Sequence, residues 1–314
     1  MITLEMELER YLEVRRGLGY SLRTSERVLR RFVGFASAHR KRYVNAELFL
    51  AWRAEFGAAN RHTWANRLGM VRQFALWLTS INPKHQVPTK GLVPGAYRRA
   101  RPYIYSDREV ALIVAEAARL PSPNGLRSLT YPTLFGLVAV TGLRVSEALA
   151  LQTGDIEVQS RTLTIRCGKL GKARLIPLAK STLNKLVAYA AMRDRLLGYP
   201  SKPLFVSDGG QKLGDCTARY NFAVVCQRIG MRPEQRFNKH GRGPRIHDLR
   251  HTFAVRTLID WYRVGKEVDR EMLKLSTYLG HSEPAHTYWY MEAVPELLDL
   301  AVRRASRARQ QEGV

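Results

Sequence analysis

The chain has 314 residues, 45% of them hydrophobic, enough for two domains of ordinary size, each with its own core. Lys and Arg number 51 against 27 Asp and Glu, a formal net charge of +24. Such an excess attracts a polyanion, most commonly nucleic acid because neutralised phosphates release counterions, with an anionic membrane surface or a merely solubilising charge as the alternative. Three cysteines without CxxC spacing (Cys167, Cys216, Cys226), a start lacking the basic end and apolar core of a signal peptide, and no window near ~18 apolar residues argue against a secreted disulfide scaffold or a membrane span. The expectation is a soluble, intracellular protein whose cysteines are reduced thiols.

Residues 1 to 82 read as helices. Leu4, Leu8, Tyr11, Leu12 and Leu18 recur near the helical period, as do Val28, Leu29, Phe32 and Phe35. AELFLAWRAEF is a third helix, and HTWANRLGMVRQFALWLTSIN a fourth with Trp64, Leu68, Val71, Phe74 and Leu78 in one stripe. Four such helices make a small bundle. Its outer faces carry arginines that can track a phosphate backbone, Arg67 and Arg72 among them, although charged helix faces are ordinary.

Residues 83 to 105 change character. Prolines at 83, 88, 94 and 102 stop helices and keep the chain extended, so the stretch reads as a linker. It carries Lys90, Arg98, Arg99 and Arg101 with no acidic residue, which suits passage along a duplex with a domain on either side.

Ser106 with Glu109 is a capping-box signature that opens a second domain, 106 to 314. TGLRVSEALAL then gives a turn at Thr141 and Gly142 and a helix beginning near Arg144, with Glu147 three residues on, placed to orient Arg144 or a neighbouring histidine. DIEVQSRTLTIRCGKLGKARLIPLA alternates at Ile156 and Val158, Leu163 and Ile165, and Leu175 and Leu178, predicting a small antiparallel sheet. Lys169 and Lys172 sit on its glycine-flanked second hairpin, where an ammonium can reach a leaving oxygen. Two helices follow, flanking a short strand in PLFVSD. A basic loop with Lys239, Arg242 and Arg245 leads directly into HDLRHTFA, where His247 and Arg250 share one helical face. LGHS supplies His281, and Tyr288 and Tyr290 follow. Arg offers a fork of donors matched to phosphate oxygens, His exchanges a proton near neutral pH, and Tyr offers an oxygen nucleophile. Residues two apart point to different helix faces, so only one of the two tyrosines can face a phosphate and the other is left to pack with Trp289. From Pro295 the chain reads as an amphipathic helix with Leu297, Leu298, Ala301 and Val302 on one side, packed on its own domain or on a neighbouring subunit.

The order of Arg in TGLRVSEALAL, Lys in a GK-containing hairpin, HDLRHTFA, LGHS and then Tyr resembles the tyrosine recombinases, the phage integrase family, strongly over residues 106 to 295 and more loosely in the N-terminal bundle. The resemblance implies a mainly α protein with a small antiparallel β-sheet, in which a helical core-binding bundle and an α+β catalytic domain form a C-shaped clamp around DNA. It implies that Arg144 and Arg250 hold the scissile phosphate and that Lys169, or less readily Lys172, is the acid on the 5′-oxygen. His247 then assists proton transfer at the nucleophile, His281 donates to the phosphate, Glu147 buttresses the site and Tyr290 is the nucleophile. The phenol oxygen would form a 3′-phosphotyrosine, which retains the phosphodiester energy, so no cofactor, ATP or metal is expected. No GxxxxGK[ST], HExxH or paired CxxC motif occurs in the chain.

Implied partners are double-stranded DNA at specific recombination sites, further copies of the chain as a tetramer on synapsed sites, and sister recombinases; no membrane is involved. The wording STYLGHS...HTYWY also resembles integrases borne on transposons and other mobile elements. The alternatives are a type IB topoisomerase-like enzyme, which nicks and reseals one duplex, and a catalytically inactive DNA-binding accessory protein.

Overall fold

The computed structural model describes residues 3–57, 59–95, 101–166, 173–233, 243–281, 283 and 285–312. The chain forms two compact units, Met1–Ala100 and Arg101–Val314.

The first unit consists of α1 (Leu4–Gly17), α2 (Arg23–Ala38), α3 (Ala46–Glu55) and α4 (Arg61–Ile81). Side-chain oxygens start three of them: Thr3, Asn45 and Asn60 accept from backbone N–H groups of the first turns of α1, α3 and α4. The α4 stripe of Trp64, Leu68, Val71, Phe74 and Leu78 is buried, while Phe32, Phe49, Trp52 and Trp64 meet mostly edge to face. Leu18, expected on the α1 stripe, is 66% exposed because the helix ends at Gly17. The proline-rich stretch contributes to this core too: Val93 is buried there, and the His85 ring is buried with Nδ1 accepting from Val44 N–H.

The second unit begins with α5 (Asp107–Ala117), whose capping box between Ser106 and Glu109 is formed. It continues through α6 (Leu126–Thr141), α7 (Val145–Ala150), a 3-10 turn (Thr153–Asp155), β1 (Ile156–Glu157), β2 (Thr162–Ile165) and β3 (Arg174–Pro177). There follow α8 (Lys180–Leu197), α9 (Asp215–Arg228), α10 (Ile246–Arg263), α11 (Val268–Leu279), α12 (Ala285–Ala293) and α13 (Pro295–Glu312). The described residues are thus mainly helical, with one antiparallel sheet in the order β1-β2-β3. None of these helices is long and apolar enough to cross a membrane.

Three local expectations are corrected. In β3 the inward residue is Ile176, paired with Leu163 of β2, so Leu175 points out and is 64% exposed. Strand side chains alternate, and Arg174 therefore shares the inward face with Ile176. PLFVSD forms two isolated bridges, Gln152 with Pro203 and Val206 with Lys212, because Leu204 N–H bonds to Leu151 while Phe205 accepts from Leu213, and no continuous ladder results. On α13 Leu297 is buried but Leu298 and Val302 are more than half exposed, so the buried face runs through Leu297 and Leu300.

Two apolar cores fill this unit, and α10 belongs to both. Ile246 and Leu249 enter the core built on α5 to α9 and the sheet, whereas Ala254, Val255, Leu258 and Ile259 enter a second core with α11, α12 and α13. The middle of α10 lies on the seam between them.

Candidate active site

Three helix ends converge on that seam. Helix α6 stops at Gly142, which takes the left-handed conformation at φ 63°. A Cβ on Gly142 would lie 2.5 Å from the Phe253 ring, so any larger residue would force that ring to move. Arg144 follows as the residue preceding α7, and α11 stops in the same manner at Gly280, φ 64°. Helix ends leave carbonyls without helical partners. Here guanidinium groups take them.

Arg250, on α10 and 1% exposed, donates through Nη1 to Gly142 O at 2.8 Å and through Nη2 to Leu279 O at 2.6 Å. Arg144 donates through Nη2 to Gly280 O at 2.8 Å and through Nη1 to Leu279 O at 3.3 Å. Arg174 donates through Nε to Tyr278 O at 2.8 Å. Three successive carbonyls at the end of α11 thus meet three arginines from different elements.

Glu147 holds two of those arginines in place. Its buried carboxylate accepts from Arg144 N–H at 3.0 Å, Arg144 Nη1 at 2.8 Å and both Arg174 terminal nitrogens at 3.1 and 2.7 Å. Burial pushes this carboxyl up, but the bonds from Arg174 and from the Arg144 backbone outweigh it and hold the group below its ordinary value. Glu147 therefore orients guanidiniums. Arg174 was not among the sequence candidates; it entered the site because β3 turns its even-numbered residues inward.

The histidines divide by environment. Burial first, then the positive charges of Arg250, Arg245, Arg219 and Arg144, lower the His247 imidazole to about 4, so it is neutral at pH 7. Burial and the Arg144 charge lower Arg250 to about 10, which leaves it protonated at neutral pH. His281 has Nδ1 2.7 Å from the hydroxyl of Thr287, itself fully buried on α12. The Tyr290 ring stacks 6.5 Å from His281, and its hydroxyl lies 2.9 Å from Nδ1 of His251, a residue the sequence reading passed over. The signal was available: His251 stands one turn after His247 on the same helix face.

Tyr290 is 1% exposed while Tyr288 is 42% exposed. The two do point to different faces, but Tyr288 does not pack as expected. Trp289 does, against His251 and Tyr290.

Arg144, Glu147, Arg250 and His247 are therefore brought together, with Tyr290 and His281 beside them. Among the nominated DNA contacts, Arg67 lies over the rings of Trp64 and Phe56, and Arg245 pairs with Asp248 at 2.8 Å just before α10. Lys90 and Arg101 are exposed and Arg72 half-buried. Lys169, Lys172, Lys239, Arg242, Arg98 and Arg99 lie outside the described residues.

Chemically, the seam offers a permanently cationic surface, a neutral imidazole and a phenol. A guanidinium carries five N–H donors. Arg250 uses two of them on carbonyls and Arg144 uses its terminal nitrogens on Glu147, Leu279 O and Gly280 O, so each holds the fold and keeps N–H groups beyond these bonds.

Comparison with known proteins identifies the family. Residues 104–296 match the model of the phage integrase family. The chain is 38% identical over 312 residues to the integrase/recombinase y4rB of Sinorhizobium fredii strain NGR234, covering 98% of each protein. Among solved structures it is similar to the Tn1549 transposon integrase in complex with transposon right end DNA, with TM-score 0.64, 15% identity and coverage of 98% and 99% of the two chains. It is also similar to a lambda integrase tetramer bound to a Holliday junction, with TM-score 0.59, 17% identity and coverage of 90% and 79%.

Proposed function

The chain belongs to the phage integrase family, and we propose on that footing that Tyr290 is the nucleophile by which it cleaves and rejoins DNA. The protein is a tyrosine site-specific recombinase acting on double-stranded DNA. The observation that carries the assignment of residues is the gathering of Arg144, Arg250, His247 and Tyr290, drawn from the residue before α7, from α10 and from α12, at one seam of the second unit.

In this reading Arg144 and Arg250 hold the non-bridging oxygens of the scissile phosphate with charge-assisted bonds that strengthen as charge develops in the transition state. The phenol oxygen of Tyr290 attacks phosphorus, forming a 3′-phosphotyrosine and releasing a 5′-hydroxyl. Lys169 protonates the leaving oxygen, with Lys172 as the second candidate. His247, neutral at pH 7, assists proton transfer at the nucleophile, and His281 donates to the phosphate with its ring set by Thr287. Glu147 and Arg174 fix Arg144. The covalent bond retains the phosphodiester energy, so a second strand can be joined without ATP.

We extend the reading to organisation. The domain scheme is a helical core-binding domain (1–82), a basic linker (83–105) and a catalytic domain (106–314) that binds DNA. Arg67, Arg72, Lys90, Arg98, Arg99, Arg101, Lys239, Arg242 and Arg245 are its phosphate contacts. Four copies, or copies mixed with sister recombinases, act on paired sites in the cytoplasm at the nucleoid, as part of a mobile element.

A suicide duplex nicked near the cleavage site, which loses its 5′-hydroxyl strand after attack, tests the assignment. Wild type and Tyr288→Phe are expected to form a covalent protein–DNA product, and Tyr290→Phe none. An adduct from Tyr290→Phe would move the nucleophile elsewhere. Exchange of strands between two such sites, as opposed to relaxation of supercoils alone, separates a recombinase from a topoisomerase.

A further inference from the structure

Helix α10 carries two histidines on one face, and the phenol is bonded to the one further along. His247 and His251 meet edge to face at 4.7 Å, and His251 Nδ1 lies 2.9 Å from the Tyr290 hydroxyl. The His251 ring is 5% exposed and enclosed by aromatic rings: His247 on one side, Trp289 at 5.7 Å and Tyr290 at 5.5 Å on others. A base must lie within about 2.6–3.2 Å of the proton donor it serves, and rings packed on several sides hold it there without further ordering. The Tyr290 proton is the one that has to leave before a phenol can bond to phosphorus.

We propose that His251 is a further catalytic residue, the general base that receives the Tyr290 phenol proton during strand cleavage. The proposal rests on the recombinase reading above and deepens it. With its own proton on Nε2, a neutral His251 accepts at Nδ1. The phenol O–H bond breaks and its proton passes to Nδ1 while the phenol oxygen forms the new O–P bond. The bond from phosphorus to the 5′-oxygen breaks with its electron pair on oxygen, which takes a proton from the separate acid assigned to Lys169. In rejoining, the 5′-hydroxyl returns its proton to that group as it attacks phosphorus, and the departing phenol oxygen recovers its proton from His251. Nothing is consumed.

His247 then acts through its neighbour. Four arginine charges surround it and favour its neutral form. Its ring edge against His251 fixes the second imidazole in the plane that the phenol needs.

The test is single-turnover cleavage of the nicked suicide duplex by the full chain, with affinity for an intact duplex measured alongside. His251→Ala is expected to bind DNA as wild type does and to form covalent product about 10²-fold more slowly, within the range of general-base contributions. Installing at position 290 a fluorinated tyrosine with a more acidic phenol is expected to recover part of that loss, since such a phenol needs less help from a base. His251→Phe keeps a buried ring without an acceptor and is expected to behave as His251→Ala does. Cleavage at the wild-type rate by either variant would overturn the proposal. So would a His251→Ala defect that the fluorinated phenol leaves untouched, because a purely packing role does not depend on phenol acidity. Failure of the wild type itself to form an adduct would overturn the recombinase reading instead.

Discussion

Arg250 uses two donors on the carbonyls of Gly142 and Leu279, and thereby ties the end of α6 to the end of α11 across the seam. Replacing it leaves two carbonyls without that partner and, in the proposed reading, also removes a phosphate ligand. Lys has one ammonium and no planar fork, so Arg250→Lys cannot span both carbonyls and face an anion as well. We expect Arg250→Lys to cleave about 10²–10³-fold more slowly, the usual consequence of losing one preorganised donor to transition-state charge. Cleavage near the wild-type rate would show that a point charge suffices. His247 gives a second test, through stability. Its folded value near 4 lies below the ordinary 6.5, so between those values the unfolded chain binds a proton that the folded chain does not. Its contribution is fully present above pH 6.5 and is lost as pH falls toward 4. At ~1.4 kcal/mol per unit the loss reaches about 3 kcal/mol. Urea unfolding at pH 7 and pH 5 captures about 2 kcal/mol of it, and His247→Gln is expected to flatten that dependence.

Helix α11 matters through its last turn. Gly280 sits at positive φ, and a Cβ there would lie 2.8 Å from Arg174 Nη1 and 3.3 Å from Arg144 Nη1. Gly280→Ala therefore combines left-handed strain of about 1–2 kcal/mol with displacement of the guanidiniums. The expected outcome is a small drop in Tm, retained DNA binding and strongly reduced cleavage; an active Gly280→Ala enzyme would show that the Arg144 position tolerates a shift. Much of this was legible beforehand. Gly142 before Arg144, and Gly280 before His281, announce two helix ends beside two site residues. Helices α4, α5 and α10 declare themselves by period or by capping. Arg174 was missed because Leu175 was read as the inward residue of β3, and one residue of register exchanges the faces of a strand. His251 was missed for a different reason: a second histidine beside HxxR looks like helix packing until α12, remote from α10 in sequence, delivers the phenol to it.

At the scale of the molecule, the excess of 51 basic over 27 acidic residues is only partly absorbed by ion pairs. Some arginines are so used: Arg30 pairs with Glu9 and Glu26, and Arg219 with Asp215. Arg67, in contrast, lies near Arg31 and Arg27, and burial together with those like charges lowers its affinity for its proton. Anion binding relieves such repulsion. If six to ten phosphates are contacted, affinity for duplex DNA should fall about 10³–10⁵-fold between 50 and 200 mM salt. Fluorescence anisotropy across that range measures the slope, and a shallow one would contradict phosphate-dominated binding. Composition thus pointed to the class of partner, and the order and spacing of motifs to the proposed catalytic side chains. The cap of three arginines on α11 was hidden, because it joins β3, α7 and α10 through backbone carbonyls that carry no sequence signature. The most direct measurement is mass spectrometry of the tryptic peptide spanning residues 275–303, taken from protein trapped on the nicked duplex. The nucleotide remnant is expected on Tyr290 alone; a remnant on Tyr288 or Tyr278, or an unmodified peptide from trapped protein, would contradict Tyr290 as nucleophile.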